Sequence, residues 1–160
     1  NMIRPIQYYY QKKGFGKNER INLYFDWKNQ RLIEETIKSK TVDKKKFSLT
    51  PGVQNKLTYQ IQMQLDLISS SLTGSLPETL SYKIGSDRGL EQYLFTRENE
   101  ALGNRKLDKK NLTVFSRQKK NHLVEIHFDQ NLFFIPALIR QSKNGKPNDI
   151  NLSDWRLLIN

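Results

Sequence analysis

The sequence holds only two histidines, His122 and His127, and these are the side chains best suited to proton transfer or metal binding near neutral pH. Five positions apart on a strand they point to opposite faces, because successive side chains alternate, so one strand cannot bring both to one ion. His127 and Asp129 would share a face, but two ligands beside a turn fall short of the set a zinc ion needs. A serine nucleophile requires an oriented base beside it. The chain has no Gly-x-Ser-x-Gly elbow, and no Ser-x-x-Lys in a supporting context. A carboxylate pair could draw on Asp26, Glu98, Glu100 or Asp129, yet their spacing singles out no two of them. Gly14-Phe15-Gly16 lacks the lysine and helix of a phosphate loop. Tyr8-Tyr9-Tyr10 beside Lys12-Lys13 could stack on bases, but consecutive tyrosines on a strand divide between its faces. The expectation is a protein without catalytic residues, metal or cofactor: not an enzyme.

The elements that would carry other chemistry come from period-two patterning. Ile21, Leu23, Phe25 and Trp27 fall on one face of a strand, with Asn22, Tyr24 and Asp26 on the other. In the next, Leu32–Ser39, Ile33 and Ile37 alternate with polar positions. Leu80–Gly85, Leu90–Arg97, Asn111–Arg117, His122–Phe128, Phe133–Ser142 and Ile150–Ile159 read as further strands. Turn-forming clusters separate them: Lys28-Asn29-Gln30, Ser86-Asp87-Arg88-Gly89, Lys119-Lys120-Asn121, Asp129-Gln130-Asn131 and Asn144-Gly145-Lys146-Pro147. Such short spacing predicts an antiparallel meander. Gly52–Ser71 fits both periods. Leu57, Tyr59, Ile61, Met63, Leu65 and Leu67 alternate, while Val53, Leu57, Ile61, Leu65 and Ile68 make a helical stripe. Thr50-Pro51 as cap and first-turn proline, with glutamines between, favours a largely buried helix.

One hundred and sixty residues suffice for one core, and 36% apolar with 11% aromatic residues is too rich for a disordered chain. Twenty-seven Lys and Arg against 16 Asp and Glu leave a net charge of +11, which favours anionic partners. The lysine pairs and triplet Lys12-Lys13, Lys44-Lys45-Lys46, Lys109-Lys110 and Lys119-Lys120 are expected in turns, as a basic rim at the sheet ends. The absence of cysteine excludes disulfides, thiol catalysis and iron–sulfur clusters. The longest apolar runs, such as Leu132–Ile135, are too short to span a bilayer as a helix. The opening Asn1-Met2-Ile3-Arg4-Pro5 is already strand-like, as in a mature or trimmed chain.

Ile3-Arg4-Pro5-Ile6-Gln7-Tyr8-Tyr9-Tyr10, Phe25-Asp26-Trp27, the run Leu57–Leu67, Tyr93-Leu94-Phe95, Phe133-Phe134-Ile135-Pro136 and Ile139-Arg140-Gln141 occur in the order seen in a family of exported bacterial proteins. The sequence thereby resembles domain-of-unknown-function family 3108. The resemblance implies an exported, largely β domain with no established activity and no catalytic residues to carry over. It also implies strands preceding Arg4–Tyr10 in longer relatives, so that this chain is the C-terminal portion of a longer domain. Two departures stand out. Asn104–Asn111, after Glu100-Ala101-Leu102, is basic where the family has a Thr and a Gly, and His127 stands where an aromatic is common.

The expected architecture is a single mainly β domain over residues 1–160, an antiparallel meander curved into a partial barrel with one packed helix at about 50–71. The expected function is non-catalytic binding of a lipid-like or other apolar or anionic ligand in the periplasm or cell envelope. Leu23, Phe25, Trp27, Leu57, Ile61, Leu65, Tyr93 and Phe95 would line the cavity. A structural partner-binding module of an envelope complex is the alternative, ahead of an enzyme acting on an envelope polymer. No nucleic-acid partner is expected. A homodimer through an open sheet edge is expected.

Overall fold

A computed structural model describes residues 2–12, 19–38, 41–86, 89–98 and 111–151. The fold is mainly β, with two antiparallel sheets and one long helix. In chain order the elements are β1 (Gln7–Lys12), β2 (Glu19–Asp26), β3 (Arg31–Lys38), β4 (Thr41–Ser48), α1 (Thr58–Leu72), β5 (Thr79–Ser86), β6 (Gly89–Glu98), β7 (Leu112–Lys119), β8 (His122–Asp129), β9 (Ile135–Lys143) and β10 (Lys146–Asn151). β1 to β4 form a four-stranded sheet in sequence order, and β5 to β10 a six-stranded one, also in sequence order. Both are meanders, as short turn-separated strands dictate. The chain divides into two compact units, Asn1–Gln62 with Ser81–Tyr93, and Met63–Leu80 with Leu94–Asn160. α1, β5 and β6 each run from one unit into the other.

In the first unit the alternation along β2 sets the core. Ile21, Leu23 and Phe25 are buried with Leu32, Leu49 and Val53, and Tyr8, Trp27 and Phe47 pack against them. The register puts Phe25 opposite Leu32 and Leu32 opposite Phe47. That pairing selects Leu32, Glu34 and Thr36 as the buried face of β3, leaving Ile33 and Ile37 half-buried on the other side. Trp27 sits at the margin of the core, not inside it. Its indole N–H donates to the Pro5 carbonyl at 2.7 Å, and the Arg4 guanidinium lies 5.9 Å from its ring. The β2–β3 turn is closed by Asp26, whose carboxylate accepts from the Asn29 backbone N–H at 3.0 Å and side-chain amide at 2.7 Å. Those bonds hold its pKa below the ordinary carboxylate value. At the start of β6, Gly89 has φ +93 and stands where an added Cβ would meet the Phe47 ring at 3.0 Å, so a side chain there would strain the backbone and crowd the ring.

Lys44-Lys45-Lys46 lies within β4 and not in a turn. Its six preceding and central residues are exposed, so no apolar alternation marked the strand; pairing with β3 along its whole length creates it. Lys44 reaches Glu35 at 2.8 Å, which keeps the Glu35 carboxyl low, with help from Asn22. Lysines on a sheet edge discourage further strand addition.

α1 begins later than Thr50-Pro51 would place it. Gln54 is taken into a bridge with β5, its N–H bonding Lys83 O and its carbonyl accepting from Gly85, both at 2.8 Å. Asn55 is the cap instead. Its side-chain oxygen accepts from the N–H groups of Leu57 and Thr58, while Thr58 Oγ1 accepts from the Asn55 N–H. The buried side of α1 is Tyr59, Gln62, Met63 and Leu67. Leu57, Ile61 and Leu65, expected to be inside, are exposed. The physical reason lies in the alternation itself. Residues two apart on a helix are separated by about 200°, so alternating apolar residues paint two nearly opposite stripes, of which one packs inward.

In the second unit one face of the sheet is aromatic: Phe95, Phe115, Ile126 and Phe128 are wholly buried, and the Phe115 and Phe128 rings meet edge to face at 6.3 Å. Phe115 stands opposite both Arg97 and Ile126. Gln64 of α1 donates to Phe133 O at 3.0 Å, and the Arg97 guanidinium donates to Leu76 O at 3.1 Å and pairs with Glu78. Lys119-Lys120-Asn121 turns as expected, whereas β10 starts at Lys146, inside a cluster expected to break structure. Gly14-Phe15-Gly16, Glu100, the basic stretch through Lys109-Lys110 and most of the expected strand Ile150–Ile159 lie outside the described residues.

Candidate functional site

The eight residues expected to line a cavity fall into separate places. Leu23 and Phe25 are core of the first unit with Trp27 at its edge. Tyr93 is half-buried and meets Tyr59 edge-on at 5.8 Å. Phe95 is wholly buried in the second unit. The remaining three come together as a surface feature. Leu57, Ile61 and Leu65 are 60%, 50% and 40% exposed, and Leu72, two turns further along the same line, is 84% exposed. Ile68 fills the gap, half-buried. Lys56 stands exposed at the head of this stripe.

A second exposed apolar group accompanies the stripe's lower half. Phe133 and Phe134 both have left-handed backbone, φ 51 and 55, a region bulky residues seldom occupy. The pair turns Phe134 inward and leaves Phe133 74% exposed, its carbonyl held by Gln64 next to Leu65. In the first unit, an open cleft of about 450 Å3 lies where the β2–β3 turn meets the end of β4, walled by Arg31, Lys46 and Phe47 among others.

The second face of the six-stranded sheet carries ionisable groups that the sequence did not assemble. The register aligns Thr96, Ser116, Glu125, Arg140 and Asp149 in one cross-strand row, and Glu98, Val114, His127 and Leu138 in the next. Arg140 grips Asp149 with two bonds of 2.9 and 3.1 Å and lies 3.6 Å from Glu125. Glu125 is 3% exposed, and burial pushes its pKa up while Arg140 opposes the rise. His127 is buried beside the β-bulge at which the register slips between His127 and Phe128. Its Nε2 has no partner, and burial followed by the Arg140 charge pulls its pKa down, so the ring is neutral at pH 7. Ser116 donates to Glu98, and no imidazole stands in the same row to activate the serine.

His122 is exposed and His127 buried, on opposite faces as strand alternation requires. Asp129 serves the turn, accepting from Asn131 N at 2.9 Å. Asp26 likewise closes a turn. In the first unit Glu34 is also buried, with one oxygen on Thr36 and the other unpartnered. Among the described residues no three His, Asp or Glu side chains converge as a metal site, and no helix is long and apolar enough to cross a membrane. Cross-strand rows are what sequence reading missed, because partners on neighbouring strands are 9 to 20 positions apart.

Compared with known proteins, residues 1–134 match the family described as a protein of unknown function, DUF3108. No curated protein and no solved structure matches the chain. The order of motifs from Ile3 to Phe134 and the match across that same span have one meaning: the chain belongs to the DUF3108 family.

Proposed function

We propose that this protein binds, without chemical turnover, a lipid-like anionic ligand of the bacterial cell envelope, with the acyl chain lying along the outward stripe of α1. The observation that carries this reading is the stripe itself, Leu57, Ile61, Leu65 and Leu72, apolar and open to water on a helix whose other side is already buried. Covering apolar surface releases roughly 25 cal/mol per Å2, so an exposed line of Leu and Ile is a ready contact for a chain of methylenes. Charge selects an anionic head. Lys56 stands beside Leu57, and the protein carries +11 overall. The resemblance to exported proteins supports the periplasm or envelope as the place of action. Titration with cis-parinaric acid tests the reading. The parent should bind, and Ile61→Ser with Leu65→Ser should weaken binding at least about tenfold. Folding should be preserved, since both side chains are exposed. Equal affinity of parent and double variant, or recovery of a chemically altered ligand, would overturn it.

A structural partner-binding module is the second reading, and the edge strand β1 favours it. The four terminal strands differ in protection. β4 bears lysines, β10 bears Pro147, and β5 is bridged by Gln54, whereas Tyr9 and Tyr10 on β1 are exposed. Antiparallel pairing of β1 with its copy in a second chain gives a two-fold dimer. Light scattering across a concentration series should then show dimers that a proline at Tyr9 abolishes. A monomer at every concentration would exclude this mode.

A further inference from the structure

The end of the second sheet built from the β7–β8 and β9–β10 turns collects positive charge that is scattered in the sequence. Lys119 pairs with His122, His122 with Lys143, and Lys143 with Lys146, so four adjacent strands end on one in-register row sharing one face. At the spacing of neighbouring strands the row is about 14 Å long. Lys120 extends it from the turn, and all five side chains are exposed. The two turns are fixed to each other, since Asn144 N donates to Asn121 O at 3.0 Å. Lys120 holds a left-handed backbone, φ 54, where glycine or asparagine would be less strained. Among the described residues of these strands, the first acids moving inward are Glu125 and Asp149, three residue rows away, about 10 Å.

We infer that this end of the sheet docks on an anionic phospholipid membrane surface. An exposed row carrying Lys119, Lys143 and Lys146, with Lys120 at the turn, complements a plane of phosphates. Lysines act as point charges and need no fixed partner geometry, which suits a fluid headgroup layer. The row and its two turns hold no arginine fork to read bases and no tyrosine, phenylalanine or tryptophan to stack on them, which disfavours nucleic acid as the occupant. The surface is separate from the apolar stripe of α1 and stands or falls without it.

The test is sedimentation with phosphatidylcholine vesicles containing phosphatidylglycerol, for the parent and for Lys119→Gln, Lys120→Gln, Lys143→Gln and Lys146→Gln combined. Each lysine near an anionic surface contributes roughly fivefold to partitioning, so the combined variant should bind about a hundredfold or more less tightly. A control with the same charge change elsewhere, Lys28→Gln with Lys44→Gln, Lys45→Gln and Lys46→Gln, should lose less than about tenfold. An equal loss in the control would assign the attraction to net charge and overturn the inference. Undiminished binding to pure phosphatidylcholine would do the same. Displacement by millimolar inorganic phosphate, or by single-stranded DNA at lower concentration than the lipid, would reassign the row to a free phosphate or a nucleic acid. Circular dichroism of each variant ensures that a lost interaction is not lost folding.

Discussion

Replacing Phe115 by alanine is expected to destabilise the protein by about 3–5 kcal/mol, the range for truncating an enclosed aromatic side chain. The ring is wholly buried on β7, faces Ile126 across the strand pair and meets Phe128 edge to face at 6.3 Å and 78°. Removing it deletes the transfer free energy of the ring, leaves a cavity that neighbouring rings cannot fill by rotamer change, and forfeits the edge-to-face contact. Since domains of this size are stable by about 5–15 kcal/mol, the variant should lose a large part of its margin. Urea unfolding followed by circular dichroism measures it, and Phe133→Ala provides the contrast. That ring is 74% exposed, so its loss should change the midpoint little. Similar behaviour of the two variants would mean that the aromatic face of the sheet is not packed as described.

The second large effect concerns Arg140. Arg140→Met should cost about 3 kcal/mol near pH 8, the lower end for stripping one partner from a buried ion pair, because Arg140 and Asp149 keep some contact with water. The cost should shrink towards about pH 5, and the direction follows from both neighbours. Burial raises Glu125 above its unfolded value, so its contribution to stability is best below the ordinary carboxylate pKa and falls as pH rises through the folded value. Arg140 opposes that rise; without it the fall deepens on the alkaline side. His127 is depressed, first by burial and then by Arg140, so stability falls as pH drops below its unfolded value of 6.5 towards the lower folded one. Loss of Arg140 relaxes the second cause and makes that acid-side fall shallower. Both changes bring variant and parent closer together in acid. Thermal melts at a series of pH values read the difference, and a cost independent of pH would show that Glu125 and His127 do not sense this guanidinium.

Much of the scaffold was legible in the residues. Alternation of Ile21, Leu23 and Phe25 defined the buried face of β2, because a half-buried strand must segregate its side chains with period two. Lys28-Asn29-Gln30, Lys119-Lys120-Asn121 and Asp129-Gln130-Asn131 marked turns through the local chemistry of short polar side chains and left-handed backbone, which operates within a few residues. The glutamine-rich alternating run became a helix because its intrinsic preference and its Asn55 cap are likewise local. What lay beyond reach was set by pairing at a distance. β4 is a strand because β3 supplies its hydrogen bonds, not because its lysines ask for one. Which of two apolar stripes on α1 turned inward was decided by packing, since the sequence placed apolar residues on both sides. The row Lys119–His122–Lys143–Lys146 and the network around Arg140 exist only through strand register, which brings side chains 3 to 21 positions apart to adjacent strands. Local patterning encodes what most segments are, while pairing at a distance makes β4 a strand and tertiary register decides which charges become neighbours.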